Sequence, residues 1–297
     1  MGRVQPEIWT HSRIKARMNC PRLEHLRYSE ELVPIRRKEA LTVGTAVHKG
    51  IETWSVEEAL ATFDEIIPAD QAEADDLEIA RATVEGMLTG YFRRYEPFKD
   101  HTPEKEFEIP LLLENGRKSR KHRLAGKIDD IVHRKDGDWV VEYKTASQLT
   151  GAYFDRLYVD EQITMYCYAL KRLGFNPVGV IYRVIRKPTI RPRKGESVAQ
   201  YTQRVTQDYL DRPEFYYFEQ MLYRTQDDLK AFEESLRERI LAFDNEKKRG
   251  RNYMNTGHCC VYAGCQYLPL CTRQAGAEAL YERKEAHEEL GGESTWD

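Results

Sequence analysis

No stretch of this 297-residue chain approaches the roughly 18 consecutive apolar residues that a membrane span needs. The opening MGRVQPEIWTHSRIKARMNC lacks the apolar core of a secretory signal. Gly2 follows Met1, but Pro6 stands where a myristoylation signal carries a small hydroxyl residue. The expectation is a cytoplasmic protein with no membrane attachment. A phosphate loop of the G-x-x-x-x-G-K-[ST] kind is missing too, so any duplex unwinding would need a partner protein. Charge of one sign is also scarce. With 46 Lys and Arg against 49 Asp and Glu, the net charge is −3, so any nucleic-acid contact would rest on local patches rather than on the total.

What is present suits one sizeable core. The chain is long enough for a single elaborated domain over 1–275, ending in a charged tail at 276–297 that is expected to fray. Within it, residues 1–100 read as a helical part carrying Cys20. Helical spacing is evident in 41–54 and again around Ile79, Val84, Met87, Leu88 and Tyr91. Residues 101–225 read as a sheet core. Short β-type runs at 104–114, 123–134 and 138–146 lead to a helix over 156–173, and strands follow at 178–188 and 214–225. Residues 226–275 read as a long charged helix followed by a cysteine cluster. The order predicts an α/β fold with a central mixed sheet.

The hairpin RLAGKIDDIVHRKDGDWVVEYKTA carries the chemistry. Asp136-Gly137 is a favoured two-residue turn. With that turn, Lys135 faces Asp138 and Asp129 lies opposite Lys144. Glu142 is two residues before Lys144 and shares its face. Two carboxylates and an ammonium then converge, and a one-residue slip would scatter them. Oxygen donors of this kind suit Mg²⁺ or Mn²⁺, which can activate water against a phosphodiester. The plain alternative is an ion pair across a hairpin.

Four short motifs occur in order: GTAVH (44–48), GKID (126–129), EYK (142–144) and QITMY (162–166). Together they resemble the GxxxH, GxxD, ExK and QxxxY motifs of the RecB-like branch of the PD-(D/E)XK nucleases. That branch includes recombination nucleases, CRISPR-associated adaptation nucleases and phage exonucleases. The resemblance implies a restriction-endonuclease-like core. It implies that His48, Asp129, Glu142 and the carbonyl of Tyr143 ligate the metal, that Lys144 is the catalytic lysine, and that Gln162 and Tyr166 lie beside the DNA strand. Glu52, one turn from His48, stays unassigned.

Cys259, Cys260, Cys265 and Cys271 crowd into thirteen residues, with Cys20 far upstream and Cys167 in an apolar stretch. Without a secretion signal, such a cluster reads as a metal site before it reads as disulfides. The resemblance implies a 4Fe–4S cluster on Cys20, Cys259, Cys265 and Cys271, stapling the two ends of the domain. Zinc is the alternative for the same thiolates. Cys260 competes with Cys259, and the neighbouring Tyr262 favours Cys259. Cys167 reads as a small buried hydrophobe.

Basic stretches at 117–123 and 183–196 could track a phosphate backbone, and Tyr153, Phe154, Tyr158, Tyr216 and Tyr217 could stack on bases. The expected function is a metal-dependent DNA nuclease, an exonuclease on ends or single strands, in recombination, repair or phage DNA processing. A helicase or recombination partner and an oligomeric state are both compatible with it. The rivals are a non-catalytic DNA-binding scaffold, an endonuclease of a CRISPR-adaptation or recombination complex, an RNA-acting enzyme of the same fold, and a zinc-ribbon-like module on an unrelated fold. The presence of Asp129, Glu142 and Lys144 together argues against the scaffold.

Overall fold

The computed structural model describes residues 5–35, 39–68, 70–261, 264–287 and 290, so Tyr262 and most of the end of the tail lie outside the described residues. The N-terminal part comprises β1 (Glu7–Trp9), α1 (His11–Asn19), α2 (Pro21–Glu24), β2 (Leu32–Pro34), α3 (Glu39–Thr53), α4 (Val56–Ala61) and α5 (Gln71–Arg94). The centre comprises β3 (His101–Leu112), β4 (Lys118–Arg134), β5 (Gly137–Ala146), α6 (Gly151–Asp155), α7 (Glu161–Arg172) and β6 (Pro177–Arg186). Then come α8 (Val198–Asp211), α9 (Pro213–Tyr216), β7 (Tyr217–Tyr223), α10 (Gln226–Lys248), α11 (Thr256–Cys259), α12 (Leu268–Cys271) and β8 (Tyr281–Arg283).

Local chemistry starts these helices. Thr10 accepts from the Arg13 N–H to cap α1, and Asp160 accepts from Gln162 and Ile163 to cap α7. Thr225 with Asp228 closes a reciprocal box on α10, and Ser197 with Gln200 does the same for α8. Helix α8 was not expected. Its Ser-x-x-Gln start is visible in the sequence but sits behind a Pro- and Arg-rich loop that reads as a polar connection.

The main sheet runs β1-β4-β5-β6-β7, with β3 on the other edge of β4. It is mixed: β1 is parallel to β4 and β5 to β6, and the remaining neighbours are antiparallel. Each face buries its own core. Helices α7 and α10 cover one, with Ile163, Leu170, Leu229 and Leu236 against Ile128, Val140 and Val180. Helices α3, α5 and α8 cover the other, with Val47, Met87, Leu88 and Val205 against Trp139, Val141 and Ile181. Each such side chain contributes about 1.5–3 kcal/mol on burial.

The hairpin corrects one expectation. Arg134 pairs with Gly137 and Asp130 with Val141, so the turn is Lys135-Asp136 and Asp129 does not face Lys144. Gly137 belongs to the strand, at φ 134°, where a Cβ would come within 2.6 Å of the Asn176 carbonyl oxygen. The Asn176 carbonyl also accepts from the Asp138 N–H, at 2.8 Å. This tertiary contact shifts the turn by one residue and the pairing by two, and an even shift keeps the side chains of the paired residues 130–134 and 137–141 on their expected faces.

The two ends of the chain are held together. Glu24 is fully buried and receives Arg13 Nε at 2.9 Å and Arg17 Nη1 at 3.4 Å, while Arg17 Nη2 reaches Glu246 of α10 at 2.9 Å. Paired in this way, the buried charges avoid the cost an isolated one would carry. The expected frayed tail is ordered over 277–283. Strand β8 pairs with β2, and Tyr281 stacks on Tyr267 with centroids 5.6 Å apart. Ala277 and Tyr281 are apolar anchors inside an otherwise charged segment.

Strand β1 is locked to β4 by Trp9, whose indole N–H donates to His122 Nδ1 at 3.2 Å. Burial pushes the His122 imidazole below its ordinary 6.5, outweighing the pull of Glu7 and Asp244. A histidine depressed in the fold binds protons more readily when unfolded, so its contribution is fully present above 6.5 and is lost as pH falls below it. Urea midpoints are therefore expected to drop below about pH 6.5, and less steeply in His122→Gln; equal slopes would contradict this role.

Candidate active site

The site lies where two strands part. The β4–β5 ladder ends at Asp130–Val141, after which β5 follows β6 as far as Ala146–Arg186. Strand β4 turns instead toward β1, which it pairs at 122–124. On its other edge, Glu104 of β3 stands across from Asp129 with φ 48°, between the regular pairs Pro103–Asp130 and Lys105–Ile128. A non-glycine residue in that region strains the backbone. The alternation of β4 slips here, so that Ile128 and Ile131 enter the same core.

Asp129 and the Glu142-Tyr143-Lys144 segment flank this fork. The Tyr143 N–H donates to Asp129 Oδ2 at 2.9 Å, and His48 Nδ1 of α3 stands 3.4 Å from Asp129 Oδ1. Lys144 Nζ is ion-paired to Glu142 Oε1. Glu142 is 1% exposed, and its Oε2 has no hydrogen-bond partner. Burial pushes the Glu142 carboxyl up to about 7, against the pull of Lys144. Burial also works against a charge on Asp129, yet His48, Lys144 and the Tyr143 N–H together hold it below the ordinary carboxylate value. Burial would lower Lys144, but Glu142 and Asp129 keep its ammonium above the usual range. His48 is likewise raised, its burial overcome by Asp129.

Helix α7 supplies the opposite wall. Gln162 Nε2 donates to Tyr166 Oη at 3.0 Å, and the Tyr166 ring meets Phe107 edge-on. A cleft of about 700 Å³ opens in front of these groups, lined among others by His48, Asp129, Lys144, Gln162 and Tyr166. Sequence reasoning missed Thr10, His11, Glu104 and Thr145, which also line it. None of these sits in a motif, and only the fold of β1 and α1 against β4 brings the first two there.

Other expected nucleic-acid contacts are engaged elsewhere. Lys121 pairs with Asp244 and Arg123 with Glu108, and His122 is buried. Arg183 is held by Glu219 and the Tyr91 hydroxyl, and Arg186 lies over Phe215. Neither basic stretch lines the cleft. Tyr216 and Tyr217 are core residues, which removes them as base-stacking surfaces, while Tyr153 and Phe154 are only partly buried where they pack against the core.

The cysteines converge from both ends. The Asn255 N–H donates to Cys20 Sγ at 3.3 Å, Asn255 Nδ2 donates to the Asn19 carbonyl at 2.8 Å, and the Arg22 N–H to the Tyr253 carbonyl at 3.1 Å. The Cys265 N–H donates to the Cys259 carbonyl at 2.8 Å. Burial raises the Cys271 thiol, and the thiols of Cys265, Cys20 and Cys259 add to it despite nearby Arg22. Cys260 is exposed, and Cys167 is buried in the core. Among the described residues, no group of three or more His, Cys, Asp or Glu forms a ready-made metal cage.

An α/β sheet that presents Asp129 beside a Glu-x-Lys strand, with a helix on either side, defines a phosphodiester-cleaving class. The chain belongs to the PD-(D/E)XK nuclease superfamily, whose sequence profile matches residues 8–272. Among solved structures, the chain is similar to a protein from Eubacterium rectale described as a "putative exonuclease", with 11% identity, 96% of this chain and 93% of that chain covered, and a TM-score of 0.49. No curated protein matches the chain. Nucleases of this superfamily generally use Mg²⁺ or Mn²⁺. The hard oxygen donors and the unpartnered Glu142 Oε2 fit such an ion.

Two motif glycines are expected to behave differently. A Cβ on Gly126 would meet the Phe107 ring at 2.8 Å and Tyr166 at 3.3 Å, whereas one on Gly44 would meet only Thr145 Oγ1 at 4.0 Å. Gly126→Ala should cost about 1–3 kcal/mol by overpacking. Gly44→Ala should be neutral or stabilise α3 by up to about 1 kcal/mol. Urea denaturation reads both, and equal effects would show that the packing around Gly126 yields freely.

Proposed function

We propose that the chain is a metal-dependent deoxyribonuclease, an exonuclease acting on DNA ends or single strands. The observation that carries this reading is Glu142, a fully buried carboxylate with one oxygen on Lys144 and the other unpartnered, next to Asp129 at the fork. Asp129, Glu142, the Tyr143 carbonyl and His48 would hold Mg²⁺ or Mn²⁺. When bound, such an ion supplies Lewis acidity at the scissile phosphate and lowers the pKa of an attacking water. Lys144 keeps its proton between two carboxylates and can offset charge that develops on the phosphoryl oxygens. His48 and the Tyr143 N–H fix the orientation of Asp129. Gln162 and Tyr166, joined by their hydrogen bond, present donors on the α7 wall where a strand would pass.

For the cysteines, the reading is a 4Fe–4S cluster on Cys20, Cys259, Cys265 and Cys271, with zinc as the rival occupant. Four soft thiol donors drawn from both ends of the domain support it. The exposure of Cys260 favours Cys259 as the ligand. Its role would be structural.

Anaerobically purified protein should cut end-labelled single-stranded or duplex DNA with Mg²⁺ or Mn²⁺, and Lys144→Ala should slow cleavage by about 10²-fold or more. Release of labelled mononucleotides identifies an exonuclease, and internal fragments an endonuclease. Metal analysis of the same sample separates iron from zinc. Intact protein that cuts no DNA, or a Lys144→Ala variant as active as the wild type, would overturn the assignment.

A further inference from the structure

A second cleft, of about 570 Å³, adjoins the first and shares His11, Lys144, Thr145 and Gln162 with it. Its walls are α1 and the segment through α6 and the following 3-10 turn at Arg156–Val159. The two clefts therefore form one path that passes over Lys144.

The charges in the two parts differ. Around Asp129 the lysines are matched: Lys49 with Glu52, Lys127 with Glu104, Lys144 with Glu142. In the second cleft, Lys15 and Arg156 are exposed and have no carboxylate partner among the described residues. Its acidic residues are already engaged. Asp160 accepts from the first N–H groups of α7, and Glu161 pairs with Arg239 at 2.8 Å. The cleft thus offers two unmatched cations.

It also offers apolar surface that the fold leaves uncovered. Met18 is 50% exposed and Val159 is 77% exposed, and the Arg156 guanidinium sits 4.2 Å from the centroid of the Tyr153 ring. Cations interleaved with apolar and aromatic faces suit a strand whose phosphates and base faces are both free. A duplex hides its base faces in the stack and would use only the cations.

We infer that this second cleft binds unpaired DNA next to the phosphate being cut, with Lys15 and Arg156 on its phosphates and Met18, Tyr153 and Val159 against its bases. The assignment of the ligand rests on the nuclease reading above, because the cleft continues from that site. It adds a place for the strand and a preference for single-stranded over duplex substrate.

Fluorescence anisotropy with a labelled 20-mer of thymidylate, in Ca²⁺ without Mg²⁺ or Mn²⁺, tests it directly. Lys15→Gln with Arg156→Gln should weaken binding about tenfold at moderate salt and reduce the salt slope by roughly 1.4, since each single-strand phosphate contact contributes about 0.7. The duplex 20-mer, which can use only the cations, should bind the wild type more weakly than the single strand. The control pair Lys118→Gln with Arg120→Gln removes the same charge from exposed positions on β4 outside both clefts, and should bind like the wild type. Circular dichroism verifies that each variant is folded. Wild-type affinity and slope in the Lys15/Arg156 variant, or equal losses in the control, would overturn the inference. Cleavage by the wild type tells the two readings apart. If it cuts while the Lys15/Arg156 variant binds normally, only the strand path fails; if it cuts nothing yet the binding loss appears, only the nuclease assignment fails.

Discussion

A carboxylate out of reach of water is the constraint around which this molecule is arranged. An isolated buried charge is so costly that a side chain in its place would normally be neutral or absent. Glu142 is retained because Lys144, two residues along the same strand, pairs with one of its oxygens. That pairing requires β5 to stay straight past the end of its ladder with β4, and β6 keeps it so through nine paired positions. The opposite face of β5 is fixed as firmly. Trp139, Val141 and Tyr143 are buried against α3, α5 and α8, and Tyr143 meets Tyr91 edge-on. The reactive face is presented by a strand whose other face is core.

The same logic places α1. This helix lines both clefts on one side and carries Arg13 and Arg17 on the other, where they converge on the buried Glu24 and reach α10. Cys20 follows its last residue directly and is met by Asn255 from the far end of the chain. Whatever restrains Cys20 therefore also restrains the wall of the cleft. The cysteines and the candidate active site, separate in the sequence, are joined by one nine-residue helix.

Legibility in the sequence followed the range of the forces involved. The long helices were readable because caps and apolar spacing act within a few residues, and α10 begins and ends where its pattern does. The sheet strands were readable from their β-branched and aromatic runs. The turn was not, because Gly137 answers to the carbonyl of Asn176, almost forty residues away. Strand β8 was hidden in a charged tail whose two apolar anchors carry no periodicity. Lys15 and Arg156 were invisible for a related reason. Arg156 is a lone cation in its stretch, and Lys15 stands between Arg13 and Arg17, which turn inward to Glu24, whereas the conspicuous basic runs at 117–123 and 183–196 supply Lys121, Arg123 and Arg183 to ion pairs of the scaffold.

The displaced turn still leaves the three residues of the candidate site together. Moving the loop by one residue changes every pairing by two positions, and two is the period of side-chain direction along a strand. Asp129, Glu142 and Lys144 thus stay near one another even though Asp129 does not face Lys144. Continued by one pair, the register would set Asp129 across from Glu142, leaving the lysine one step further toward the mouth of the cleft. For phosphodiester hydrolysis this order is the better one. It gathers the two acids in the fork, where a divalent ion would be held, and leaves Lys144 where the two clefts meet and the phosphate would lie. A ladder that kept the two strands together past Asp130 would close that fork, so the early end of the β4–β5 pairing is itself part of the site.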